Sequence, residues 1–137
     1  MADFMKAIGK ILKSEGGYVN DKDDVGGETY KGISRKNNPN WIGWVYIDDI
    51  KKHHPTTFRR ILDVTPQLQK AVYDVYKNRY WDVLRLDDFN NQNIANEIFD
   101  TCVNCGKKAA LDMIKKVIIN DVNCNEEDSI LDYAARV

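Results

Sequence analysis

The chain has 137 residues, enough for one compact domain with a real core and short of two ordinary ones. Hydrophobic residues make up 43% and charged residues 30%, a balance that excludes disorder as the main description. Twenty Lys and Arg oppose twenty-one Asp and Glu, a net charge of −1, so no global field draws the protein onto nucleic acid or anionic lipid.

The N-terminus carries Asp3 and no long apolar run before Lys13, which argues against a secretory signal, and no stretch approaches the roughly 18 apolar residues that span a bilayer. Cys102, Cys105 and Cys124 are an odd number in a chain whose size needs no disulfide staples, so a reducing compartment at synthesis is expected. Cys102-x-x-Cys105 lacks the further ligands of a zinc site and the βαβ setting of a redox motif, and Cys102 falls on an apolar helix face as a core residue.

In chain order, Phe4, Ala7, Ile8, Ile11 and Leu12 mark one face of a first helix ending near Ser14 or Glu15, stopped by Gly16-Gly17. From Gly16 to about Trp44 the chain is rich in Gly, Asn and Asp and reads as a long loop with a short β-hairpin near Tyr30 to Ile33. The remainder is helical. Thr65-Pro66 supplies an N-cap and a first-position proline for a helix carrying Leu68, Ala71, Val72, Val75, Tyr76 and Tyr80 on its apolar face. A helix from about Gln92 to Asn104 ends at Gly106, another follows on Ala109, Ala110, Met113, Ile114, Val117 and Ile118, and a short one falls on Ile130, Leu131 and Ala134. The expected fold is mainly α, a helical bundle with one long functional loop after the first helix, in a single domain over 1–137.

That loop holds Glu15, Asp21, Asp23, Asp24 and Glu28 among glycines. An EF-hand register starting at Asp21 puts Val25 at position 5 and Gly32 at position 12, where oxygen ligands are needed, which weighs against calcium. Acid–base chemistry is the alternative. Glu15 closes a helix, where the macrodipole disfavours a carboxylate by roughly 0.3–1 kcal/mol and so favours the protonated form that a general acid needs. Asp24 lies beside Gly26 and Gly27, whose N–H groups suit its ionised form. Two carboxyls with opposed environments are the pattern of glycoside hydrolysis. Spacing alone leaves a second reading equally open, in which Glu15 is an exposed helix end and the acids form a solvated turn.

The run EGGYVNDKDDVGGETYKGIS (15–34) resembles the signature of glycoside hydrolase family 108, phage-type and prophage N-acetylmuramidases. SRKNNPNWIGW (34–44), the stretch Val72 to Trp81 and FDTCVNCG (99–106) are similar to further segments of that family, so the resemblance covers about residues 10 to 106. It implies Glu15 as catalytic acid, a lysozyme-like helical fold and no cofactor or metal. Lys22 and Val25 stand where the family commonly has prolines. After Gly106 the chain lacks the Leu-Gln pair and Asp-Gly-x-x-Gly-Pro turn of the family's predicted wall-binding region. On this reading 1–106 is the catalytic part and 107–137 is a shortened helical region that completes the bundle.

The order Glu15, Asp24, Thr29, Gly32-Ile33 also resembles that of phage lysozymes, which implies that Asp24 and Thr29 hold or activate the attacking water; Asp21, or no second carboxylate, remain alternatives. Tyr18, Asp21, Tyr30, Trp41, Trp44 and Asn104 are the candidate substrate-binding residues, since flat apolar rings suit the C–H faces of sugars; an ordinary core role is as open for each aromatic. Lys51 to His54 and Arg59-Arg60 form a locally basic stretch that reads first as a solvated face and second as a surface for an anionic wall polymer.

The function expected is a peptidoglycan hydrolase cleaving the β-1,4 bond between N-acetylmuramic acid and N-acetylglucosamine. A lytic transglycosylase and a non-catalytic wall-binding or secretion-assisting protein are the alternatives. The expected partner is bacterial peptidoglycan, with no nucleic acid and no membrane insertion. A monomer is expected, made in the bacterial cytoplasm and released to the wall through a holin-like route.

Overall fold

The structure, a computed structural model, describes residues 1–23 and 27–121. Asp24, Val25, Gly26, Cys124 and the expected helix on Ile130, Leu131 and Ala134 lie outside the described residues. Six α-helices and one small antiparallel sheet make up most of the described chain, as a mainly α, lysozyme-like fold requires. The chain forms two compact units: Met1–Ile8 with the chain from Tyr76 onward, and Gly9–Val75. No described helix is long and apolar enough to cross a membrane.

Helix α1 spans Phe4–Glu15. Its apolar spacing does what it predicts: Phe4, Ala7, Ile8 and Ile11 are buried. Gly16 follows at φ +76°, the left-handed conformation that ends helices and that a side chain at Cβ resists. The glycine pair therefore stops α1 with Glu15 as its last residue.

The long loop is more structured than its sequence suggests. Strands β1 (Tyr18–Asn20), β2 (Glu28–Tyr30) and β3 (Ile33–Ser34) form an antiparallel sheet in the order β1-β2-β3. Tyr18 pairs with Tyr30 and Asn20 with Glu28, while Tyr30 pairs with Ile33. The expected hairpin is present, its two-residue turn formed by Lys31 at φ 47° and Gly32 at φ 80°. Both central residues at positive φ match the turn whose twist suits antiparallel strands. A three-residue strand carries no readable periodicity, which is why β1 is not evident from sequence.

Helices α2 (Gly43–His53), α3 (Phe58–Asp63) and α4 (Pro66–Tyr76) complete this unit. Pro66 opens α4 as expected, but the Thr65 hydroxyl donates to the Ile61 carbonyl oxygen at 2.6 Å, at the end of α3. Thr65 thus bonds back to the preceding helix in place of the expected cap.

The other unit is built on α5 (Gln92–Cys105) and α6 (Lys107–Asp121) with three mutually edge-on aromatics. Phe4, Trp81 and Phe99 lie 5.5–5.8 Å apart between ring centroids. Sequence periodicity continues one α-helix through Tyr80, whereas the chain widens into a π-helical turn over Lys77–Trp81. Tyr76 and Trp81 are both buried. Five residues of regular α-helix would rotate them about 140° apart, and the wider turn brings them closer to one face. The Trp81 indole N–H donates to Asp87 at 2.7 Å. Asn91 caps α5 by accepting from the N–H groups of Asn93 and Ile94, and Gly106 ends it at φ +95°. Cys102 is a buried free thiol pushed up in pKa by burial, and Cys105 is exposed.

Candidate active site

Glu15 sits half-buried at the C-terminal end of α1. Among the described residues its carboxyl has no hydrogen-bond or ion-pair partner. Two residues on, the Gly17 carbonyl accepts from the Lys31 N–H at 3.2 Å, so the end of α1 is tied to the turn of the hairpin. The chain geometry thereby fixes where Glu15 emerges relative to the sheet.

The two faces of that sheet differ. Side chains alternate along a strand, so Glu28 and Tyr30 share one face of β2 and Thr29 takes the other. The Glu28–Tyr30 face is locked. Glu28 accepts from Arg35 Nη1 at 2.8 Å, from Lys51 Nζ at 3.3 Å and from the Tyr18 hydroxyl. Arg35 also grips Asp48 with two bonds of 2.8 and 2.7 Å, and Lys51 donates to the Tyr18 oxygen at 2.9 Å. Arg59 lies over the Tyr18 ring and donates to its carbonyl. Burial alone would raise the Glu28 carboxyl, but hydrogen bonds from Arg35, Tyr18 and Lys51 outweigh it and hold the group below the ordinary carboxylate range. Burial and the bond to Glu28 push the Tyr18 hydroxyl up.

Tyr30 is anchored in the same manner. Its hydroxyl donates to Asp63 at 2.9 Å and accepts from Gln69 at 2.9 Å, and burial raises its pKa well above the ordinary phenol range. The hairpin is therefore bolted to α2, α3 and α4 through partly buried polar bonds, leaving Thr29 on the half-buried opposite face.

The sequence-derived candidates separate into two groups. Glu15, Asp21 and Thr29 lie on α1, beyond β1 and on β2, in the helix-to-sheet segment, with Asp21 exposed and accepting from the Asp23 N–H at 2.9 Å. Asp24 lies outside the described residues. Tyr18, Tyr30 and Trp44 are instead buried. Trp44 is 2% exposed, donates to the Asn38 carbonyl at 2.8 Å and carries Arg35 over its ring, so its faces are occupied by the protein itself. Trp41 is half-buried, stands edge-on to Trp44, donates to the Ala71 carbonyl and covers Gly43, where a Cβ would strike its ring. Asn104 is exposed on α5 and donates to Asp100 at 3.0 Å. Glu28, Lys51 and Arg59 have no site role in the sequence pattern; the i, i+2 spacing of Glu28 and Tyr30 within a strand is the one local signal that sets Glu28 beside Tyr30.

This network predicts a measurable acid sensitivity. Glu28→Gln keeps the shape but removes the charge that three donors share, with an expected loss of about 1.5–3 kcal/mol near neutral pH. The folded state holds Glu28 below its unfolded value near about 4.3, so its contribution is present above that value and disappears as pH falls through the folded one. Urea denaturation from about pH 7 to pH 3 is expected to show wild-type and variant stabilities converging in acid. Equal stabilities throughout would remove Glu28 from the energetics of the sheet.

Among the described residues, six helices and a small braced sheet set directly after the first of them are the arrangement of a lysozyme-like fold. The chain belongs to the glycosyl hydrolase 108 family, whose model matches residues 8–106 and so covers α1 from Ile8 onward, the sheet and all of α2 to α5. It is a glycoside hydrolase, of the peptidoglycan-hydrolase, muramidase type in general terms. No curated protein and no solved structure matches the chain.

Proposed function

We propose that the protein is an N-acetylmuramidase, hydrolysing the β-1,4 bond between N-acetylmuramic acid and N-acetylglucosamine in bacterial peptidoglycan. The observation that carries this reading is Glu15, half-buried and without a partner among the described residues, at the end of α1 inside the span matched by the family. Glu15 gives its proton to the glycosidic oxygen as the bond to the anomeric carbon breaks. Water adds to that carbon and passes a proton to Asp24, with Thr29 holding the water. Neither step needs a cofactor. Tyr18, Tyr30 and Trp44 act by supporting the sheet and its surroundings, while Asp21 and Trp41 remain available to sugar. Residues 1–106 constitute the catalytic part, and the monomer, made in the cytoplasm, reaches the wall through a holin-like route.

Digestion of purified peptidoglycan followed by mass spectrometry of the new ends tests this. Reducing N-acetylmuramic acid ends are expected. Anhydro sugar ends would mean a lytic transglycosylase, and reducing N-acetylglucosamine ends the other glycosidic bond. Absence of any product would mean a wall-binding or secretion-assisting protein.

A further inference from the structure

Helices α2, α3 and α4 border an open groove that involves neither Glu15 nor the sheet. It consists of a cavity of about 480 Å³ and a smaller one of about 210 Å³, and both are lined by Tyr46 and Gln67, so the two run together. The larger volume lies in the range of ligand sites. Its apolar lining comes from Ile50 and Ile61, and the smaller cavity adds Ile42, which is 53% exposed.

Two pairs of titratable side chains line the groove, and His54 stands beside them. His53 Nδ1 lies 3.4 Å from Asp49 Oδ1, and Lys70 Nζ lies 2.9 Å from Asp74 Oδ2, each pair within one helix. Lys70 and Asp74 cancel each other, whereas His53 balances Asp49 only when its imidazole is protonated, so the groove holds one fixed cation against two carboxylates. Gln67 can both donate and accept, the Thr65 hydroxyl already donates to Ile61 and retains acceptor capacity, and the half-buried Tyr46 supplies a ring beside them. An aromatic ring with bifunctional amide and hydroxyl groups, and no excess of fixed cations, suits a hydroxyl-rich chain better than an anion.

We propose that this groove is a second glycan-binding site, which takes a stretch of β-1,4-linked amino-sugar strand away from Glu15 and retains the protein on insoluble wall. The proposal rests on the reading of the protein as a wall-glycan hydrolase. Tyr46→Ala removes the ring, and Gln67→Arg places a bulky charge in the groove at an exposed position, where the fold is expected to tolerate it.

Retention is read by co-sedimentation with insoluble peptidoglycan, using full-length protein carrying Glu15→Gln so that the polymer stays intact. Each groove variant is expected to weaken retention about tenfold. Chitohexaose is expected to compete for retention, and free stem peptide is not. With Glu15 present, cleavage of the insoluble wall falls, while turnover of short soluble oligosaccharide is unchanged. Unchanged retention in a folded Gln67→Arg protein overturns the proposal, as does competition by stem peptide alone or an equal loss on short substrate. Retention is measured without turnover, so a failure of the muramidase reading appears separately as absent reducing ends in the parent protein.

Discussion

Glu15→Gln lowers the rate of peptidoglycan cleavage by about 10²–10⁴-fold and leaves the thermal midpoint essentially unchanged. Both halves of this expectation follow from where the side chain sits. Glu15 is the last residue of α1, half-buried, and its carboxyl has no partner among the described residues, so an isosteric amide breaks no bond that supports the fold. Proton donation is a different matter, because an amide cannot protonate a leaving oxygen at neutral pH. Glu28→Gln is the informative control. It removes the charge from a carboxylate bound by Tyr18, Arg35 and Lys51, and its expected signature is the reverse, a loss of stability. Initial release of reducing ends and a melting curve on each variant distinguish the two carboxyls. Near parental activity in Glu15→Gln would take Glu15 out of the mechanism.

What could be read from the sequence was what is local. The face of α1, its glycine stop, the Lys31-Gly32 turn, the proline start of α4 and the Gly106 end of α5 depend on residues within a turn or two of each other, and each is where the pattern puts it. Features that join distant segments were not legible. Glu28 draws its partners from β1, the residue after β3 and α2, so no spacing rule connects it to Tyr18, Arg35 and Lys51. The aromatics show the same limit. Stacking on sugar and packing in a core demand the same rings, and only burial separates Trp44, whose ring lies under Arg35, from Trp41, which keeps some exposure. The π-helical turn at Lys77–Trp81 ends on a ring packed against Phe4 and Phe99, contacts between distant segments that local periodicity does not record.

Asp24→Asn is expected to reduce turnover by about 10²-fold or more with little change in KM, because a group that takes a proton from water acts mainly in the transition state. The other loop carboxylates are poorer candidates for that work. Glu28 is held as an anion by three donors on the braced face of the sheet, and a base so committed has little capacity to accept a proton. Asp21 is exposed and accepts the Asp23 N–H, a local turn bond that Asn preserves, so Asp21→Asn should cost little. Asp24 follows Glu15 by nine positions across the glycine-rich segment, a spacing that allows it to address the opposite side of the sugar ring. An inverting pair stands about 6.5–9.5 Å apart to admit water, against about 5–5.5 Å for a retaining one, and Glu15 with Asp24 are expected at the wider separation. The first-formed product should then have the anomeric configuration opposite to the β-linkage, visible by proton NMR before mutarotation. A β product in the first minutes would reject direct water attack, and an active Asp24→Asn beside an inactive Asp21→Asn would move the base to Asp21.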